Sequence, residues 1–168
     1  MKTEFFNNKI VGSGYTLTEL SNGLKVYIYE MPNFNSVYAT FGTKYGSIDS
    51  SFVVNGEEIT VPDGIAHFLE HKLFESEDGD AFTKYAATGA YANAFTSFDR
   101  TCYIFSCTER FEENLDILLN FVQSPYFTKE TVEKEQGIIG QEIRMYDDSP
   151  NWNVLFRMLE NMYFNNPV

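Results

Sequence analysis

The segment His67-Phe-Leu-Glu-His71 contains both histidines of this 168-residue chain, four residues apart. Apolar residues such as Ile65, Leu69 and Leu73 recur around it at helical spacing, which predicts an α-helix that begins near Pro62. Residues i and i+4 share one face of a helix, so both imidazoles can bind the same metal ion. The segment therefore predicts a helix that carries part of a metal site.

Glu70 lies between the two histidines, three residues after His67. A carboxylate in this position can accept a proton from a zinc-bound water, and the order His-x-x-Glu-His is a signature of zinc peptidases. The alternative is a pair of ordinary helix histidines, with Glu70 as a surface ion-pair partner. We favour the zinc site, because all three residues occur together at the required spacing.

A third zinc ligand is expected elsewhere in the chain, because catalytic zinc usually has three protein ligands and one water position. No histidine remains to supply it. Cys102 and Cys107 are possible donors, but their odd separation in a strand-like run points them to opposite faces of a sheet. A carboxylate is the better candidate.

The run from Thr128 to Tyr146 is predicted to form a helix with Thr128 as its N-cap, and it contains four glutamates. Glu135 and Glu142 are seven residues apart and share a face with two isoleucines. A carboxylate on an apolar face is costly unless it is paired with a cation or bound to a metal. Both glutamates are therefore candidates for the site, with a salt bridge to Arg or Lys as the alternative.

Four segments of this chain resemble the pitrilysin, insulinase and mitochondrial processing peptidase family of zinc metallopeptidases. They occur in the family's order and comprise Ser21 to Val26, His67 to His71, Asn93 to Ser97 and Glu135 to Glu142. The likeness covers nearly the whole chain from Leu17 onwards and is greatest to the insulinase-like zinc peptidases of Gram-positive bacteria. It implies a zinc-dependent endopeptidase that binds one Zn²⁺ per chain and cleaves short or unfolded peptides.

The resemblance implies a role for each residue of the site. His67, His71 and Glu142 would be the zinc ligands, and Glu70 the general base that takes a proton from the water and returns it. Glu135 would accept a hydrogen bond from a ligating histidine and so fix the orientation of its ring. No covalent intermediate is expected.

The resemblance also implies that the strand around Asn93 binds substrate peptide as an added strand. Specificity would come from a pocket beside the scissile bond. For its aromatic members, core packing is the alternative, favoured for Phe74 and equally weighted for Phe95 and Trp152. The candidate substrate-binding residues are Asn93, Ala94, Phe95, Thr96, Phe74 and Trp152.

The order of elements predicts one α+β domain, because strands dominate the first part of the chain and helices the rest. We expect an antiparallel-rich sheet covered by helices, which by resemblance is the LuxS/processing-peptidase-like metallohydrolase fold. Predicted strands are Tyr15 to Glu19, Leu24 to Glu30, Ser36 to Thr43, Ala90 to Phe98 and Thr101 to Thr108, with a polar loop at Tyr45 to Glu58. Predicted helices after the histidine helix are Asp80 to Thr88, Phe111 to Gln123, Thr128 to Tyr146 and Trp152 to Tyr163.

Residues 1–168 are expected to be most of a truncated N-terminal catalytic domain, since the sequence ends at Asn165-Asn-Pro-Val168 without closing strands. The resemblance implies two similar halves, of which the second is absent here. A second half or subunit would be needed to complete the chamber, so the fragment alone should be weakly active or inactive. The alternatives are a catalytically inactive partner subunit or peptide-binding module, and a different or structural zinc site.

The net charge of −12 and the isoelectric point near 4.5 argue against nucleic acid or an anionic membrane surface as partners. No stretch approaches the length of a membrane span. Two cysteines without a plausible disulfide suit a reducing compartment, so a bacterial cytoplasm is expected.

Overall fold

The computed structural model describes residues 1–8, 10 and 12–164. It divides into two compact units, Met1–Asn35 and Ser36–Val168, and the second contains every residue of the predicted site. Residues 165–168, to which the predicted truncation refers, lie outside the described residues.

The first unit is an antiparallel sheet in the order β1-β2-β3. The predicted pair of strands around the Ser-Asn-Gly turn is confirmed, with Gly23 at a φ of 87° in that turn. The first strand was not predicted, because its residues do not alternate between apolar and polar. The strands are β1 (Lys2–Asn8), β2 (Ser13–Glu19) and β3 (Lys25–Ile28).

The second unit combines helices with short antiparallel sheets, as the α+β prediction requires. Its strands are β4 (Val37–Thr43), β5 (Ser51–Val54), β6 (Glu57–Thr60), β7 (Glu75–Ser76), β8 (Gly79–Asp80), β9 (Tyr91–Thr96) and β10 (Thr101–Cys107). Its helices are α1 (Ile65–Leu73), α2 (Ala81–Thr88), α3 (Phe111–Phe121), α4 (Lys129–Asp147) and α5 (Pro150–Met162). Within the described ranges, no helix is long and apolar enough to cross a membrane.

The main sheet of this unit has the order β4-β10-β9, so β10 is central and β9 lies at an edge of the described sheet. The predicted hairpin is confirmed: β9 and β10 are antiparallel, and Thr96 lies opposite Thr101. The edge position leaves one side of β9 without a strand partner among the described residues.

The hydrophobic core lies between this sheet and the helices. Alternate residues of β10 share one face, so Tyr103 and Phe105 point the same way, and the Phe105 side chain is 0% exposed. Phe74 at the end of α1 stacks on Phe121 of α3, with 4.9 Å between ring centroids. These contacts fix the position of α1 on the sheet.

The predicted polar loop at Tyr45 to Glu58 is wrong in part, because it contains β5 and the start of β6. These two strands form a hairpin around Asn55 and Gly56, whose φ angles are 53° and 87°. Two successive positive φ values characterise the type I′ hairpin turn, for which Asn-Gly is the preferred sequence. The turn residues therefore indicated this hairpin, and the residues just before the turn, Phe52 to Val54, are apolar and β-favouring.

We expect Phe105→Ala to lower the free energy of unfolding by about 3–5 kcal/mol, because it leaves a cavity under the sheet. Urea unfolding followed by circular dichroism measures the change. Tyr38→Ala on β4 is the control, since Tyr38 is exposed and should change stability far less. An equal effect of the two substitutions would contradict this description of the core.

Candidate metal centre

Helix α1 has two faces with different surroundings. Ala66 on one face is buried against the sheet. His67 and His71 lie together on the other face, with 4.6 Å between ring centroids and an angle of 84° between ring planes. The four-residue spacing thus places both imidazoles at one surface of the helix, as predicted.

Glu142 of α4 completes a group of three possible ligands. Its Oε2 lies 3.4 Å from His67 Nε2 and 3.7 Å from His71 Nε2. Ligand atoms bound to tetrahedral zinc at about 2.0–2.1 Å lie about 3.3–3.4 Å from one another. The two nitrogens and the oxygen are therefore already near the spacing that zinc requires, and this donor set fits the metal.

Glu135 is buried, with 6% of its surface exposed, and lies beside His71. His71 Nδ1 lies 2.7 Å from Glu135 Oε1, so the ring N–H donates to the carboxylate. In the neutral imidazole this hydrogen bond selects the tautomer with its proton on Nδ1, so Nε2 is the nitrogen that can bind a metal, and it lies 3.7 Å from Glu142 Oε2. Neither glutamate forms an ion pair with Lys or Arg in the described part of the chain.

The face of α4 that carries these glutamates is not an apolar core face. Glu135 is the buried residue of this helix, whereas Ile138 on the same face is exposed. The prediction that both carboxylates share one face is confirmed, but that face is directed at the histidines of α1 rather than at apolar side chains.

Glu70 lies on α1 beside His71 and is 9% exposed. Its Oε2 accepts a hydrogen bond of 2.7 Å from the hydroxyl of Thr96 on β9. This contact connects the metal-site helix to the edge strand. A carboxylate held in this way, next to a candidate metal ligand, is suited to accept a proton from a metal-bound water.

A cavity of about 360 Å³ opens beside Glu70 and His71. The stacked rings of Phe74 and Phe82, 4.3 Å apart, form an apolar part of its wall. The other residues around it are Asn93, Ala94, Glu75, Asp80, Lys134, Glu135 and Ile138. The cavity therefore joins the metal centre to strand β9 and is large enough for a bulky side chain.

A sequence model of the insulinase family, peptidase family M16, matches residues 57–168. The chain belongs to the M16 peptidase family. The match includes all the residues of the metal centre.

Named relatives of this M16 chain come from several bacteria. It is 60% identical over 152 residues to YmfH of Bacillus subtilis, described as an uncharacterized zinc protease, and covers 36% of that protein. It is 31% identical over 159 residues to a zinc protease of Rickettsia felis, of which it covers 37%. The chain thus spans little more than one third of the length of these relatives, while the alignments cover 89% and 92% of its own length.

Solved structures show the same arrangement of the backbone. The structure of an M16-like peptidase from Alicyclobacillus acidocaldarius superposes with a TM-score of 0.86 at 45% identity, covering 91% of this chain and 36% of the other. A protease from Helicobacter pylori gives a TM-score of 0.74 at 25% identity, covering 99% and 37%. Both agree with the mixed α/β fold described above.

Three of the six candidate substrate-binding residues of the M16 chain, Phe95, Thr96 and Trp152, do not line the cavity. Phe95 is exposed and lies on the opposite face of β9 from Ala94. Trp152 packs against Tyr146 and Phe156 at the junction of α4 and α5, with ring centroids 5.4 and 5.6 Å away. Phe74 and Ala94 do line the cavity. Phe74 is also part of the hydrophobic core, which is the alternative that was favoured for it from sequence.

An ion-pair network beside the metal centre was not predicted from sequence. Lys72 on α1 is 0% exposed and donates to Glu75, which also pairs with Lys134 of α4 at 3.3 Å. Lys72 further lies over the ring of Phe127, 5.9 Å from its centroid. The network joins the end of α1 to α4 one residue from the His71–Glu135 contact. A lysine and a glutamate three residues apart are common on exposed helices, so this spacing does not indicate that Lys72 is buried.

The network makes stability depend on pH in a defined direction. The hydrogen bond from Lys72, and secondarily Lys134, holds the pKa of the Glu75 carboxyl below its ordinary value, although desolvation opposes this. A carboxyl whose pKa is lower in the folded state stabilises the protein above its unfolded-state pKa, and this stabilisation is lost as pH falls through the folded pKa. We therefore expect Glu75→Gln to be destabilising at pH 7 by about 1–3 kcal/mol.

The difference between wild type and Glu75→Gln should begin to shrink below about pH 4.3, the ordinary glutamate pKa, where the unfolded chain takes up a proton. It should be lost as the pH falls through the lower pKa of the carboxyl in the folded protein. Urea unfolding of the metal-free protein at several pH values measures it. Glu133→Gln is the matched control, because the Lys129–Glu133 pair is exposed and contributes little. A Glu75→Gln difference that stays constant from pH 7 to pH 3 would contradict the role of this ion pair.

Proposed function

We propose that this chain is the zinc-binding, catalytic part of a zinc-dependent endopeptidase. The observation that carries the proposal is the meeting of His67 Nε2, His71 Nε2 and Glu142 Oε2, with Glu70 next to them. Two imidazoles and one glutamate are a ligand set found in catalytic zinc sites. Relatives described as zinc proteases support the same metal, one Zn²⁺ per chain.

A zinc ion held by these ligands would supply Lewis acidity and lower the pKa of a bound water to about 7. Glu70 would take the proton from that water and return it to the leaving amine. Glu135 would keep the His71 ring oriented and its Nε2 free of a proton. Peptide hydrolysis then needs no covalent intermediate.

The substrate is proposed to bind in extended form along β9. The free edge of this strand offers backbone groups that can hydrogen bond to a peptide of almost any sequence. The cavity beside Glu70 would take one substrate side chain, with Phe74, Ala94 and Asn93 on its wall. These features favour short or unfolded peptides over folded proteins, because only an extended backbone can pair with the edge.

A structural zinc site is a weaker explanation of the same residues. Such a site is closed by a fourth protein ligand. Glu135 is a further carboxylate beside His71, but it already accepts the hydrogen bond from His71 Nδ1. Among the described residues, the group of possible ligands contains only three members, which leaves a position for water.

We also propose that the rest of the longer protein, or a second subunit, completes the substrate chamber. The supporting fact is that the chain spans 36–37% of the length of its named relatives. The proposed fold is the LuxS/processing-peptidase-like metallohydrolase fold, and the proposed location is the cytoplasm, which suits the two free cysteines.

Substituting Glu70 by Gln in the natural full-length protein tests the proposed activity. We expect zinc content to stay at the wild-type level while turnover of a fluorogenic peptide falls by about 10²–10⁴-fold, because the amide cannot act as a base. Glu133→Gln, an exposed change on α4, is the control and should keep full turnover. Unchanged turnover in Glu70→Gln would rule out Glu70 as the general base.

A further inference from the structure

Thr96 has a contact that differs from the substrate-binding role predicted for it. Along β9 the exposed residues alternate with less exposed ones, and Thr96 shares the inner face with Ala92 and Ala94. Its hydroxyl accordingly points to α1, where it donates to Glu70 Oε2 at 2.7 Å. The side chain of Thr96 is therefore engaged with the proposed base and not directed along the free edge.

The Glu70 carboxylate depends on this hydroxyl for its position. In the ranges that the structure describes, Thr96 is the one side chain that hydrogen bonds to it, and no lysine or arginine pairs with it. A glutamate side chain has several accessible rotamers, and a base must be held in one geometry to transfer a proton efficiently. One hydrogen bond to Oε2 restricts the rotamer and leaves Oε1 for the reaction.

A second threonine supports the direction of this hydrogen bond. Thr101 lies opposite Thr96 on β10 and is 2% exposed. Its hydroxyl donates to the carbonyl of Tyr45 at 2.8 Å, so its only proton is already used. The two threonine hydroxyls are 3.5 Å apart, whereas Glu70 Oε2 is 2.7 Å from Thr96 Oγ1. The proton of Thr96 is thus directed at Glu70.

We propose that Thr96 is a positioning residue that holds the general base Glu70 in its reactive rotamer and anchors it to the strand that binds the peptide. This inference rests on the proposed peptidase function. It assigns the threonine hydroxyl an effect on the rate of the chemical step, while the backbone of the same strand contributes to substrate binding.

Thr96→Val in the natural full-length protein tests the proposal, because valine keeps the shape and the strand propensity but cannot donate. We expect kcat to fall by about 10- to 100-fold, with KM within about threefold of wild type and zinc per chain unchanged. Thr96→Ser keeps the hydroxyl and should restore kcat to within about threefold of wild type. A raised KM with unchanged kcat would overturn the proposal in favour of direct substrate binding. Equal losses of kcat in both variants would also overturn it, because serine keeps the hydroxyl that is proposed to position Glu70.

A measurement without turnover separates this contact from the proposed activity. The melting temperature of the metal-free protein is measured for Thr96→Val with Glu70 present and again with Glu70→Ala. We expect the valine substitution to lower the melting temperature only when Glu70 is present, because only then does a buried carboxylate lose its donor. Equal shifts in both backgrounds overturn the proposal. A wild type without peptidase activity would instead overturn the proposed function and leave the contact standing.

Discussion

The hydrogen bond between His71 and Glu135 is the contact on which the metal centre depends. A buried carboxylate is costly unless a partner offsets its desolvation, and the partner here is a ring N–H at 2.7 Å. Because Glu135 is the buried residue of α4, this contact determines how that helix lies against α1. Glu142, two turns further along, then reaches both Nε2 atoms. The position of Glu142, the proposed third ligand, thus follows from the contact between Glu135 and His71.

The sheet determines where the remaining groups lie. Tyr103 and Phe105 of β10 anchor the helices by their burial, and β9 pairs with β10 along its length. As a result, a strand edge, a carboxylate and two imidazoles lie within one small region. Glu75 accepts from Lys72 of α1 and from Lys134 of α4, which adds a second link between the two helices close to the first. The site therefore rests on two helices that are connected at two neighbouring points.

Much of this arrangement could be predicted from local sequence. The i, i+4 histidines define one face of a helix, and Thr128 accepts from the backbone N–H of Thr131 as an N-cap should. The meeting of Glu135 and Glu142 with the histidines could be predicted only through the family resemblance, because spacing along α4 says nothing about which helix it faces. The burial of Lys72 had no local signal either, because it depends on which elements pack against α1.

Some structural features that were predicted incorrectly do have a signal in the sequence. Asn55-Gly56 is a strong hairpin signal, and the apolar run Phe52 to Val54 before it agrees with a strand, although a loop was predicted here. The period of two along β9 places Phe95 on the face opposite Ala94, and Ala94 is the one of the two that lines the cavity. Trp152 lies with Tyr146 and Phe156 because α5 packs on α4, a tertiary contact that no motif indicates.

The zinc content of the natural full-length protein and of its Glu142→Gln variant, purified identically, tests the central claim most directly. Mass spectrometry of the metal should find about one zinc per chain in the wild type and much less in the variant, because two imidazoles alone hold zinc weakly. Glu133→Gln on the same helix is the matched control and should keep the wild-type content. Equal zinc in wild type and Glu142→Gln would contradict the three-ligand site.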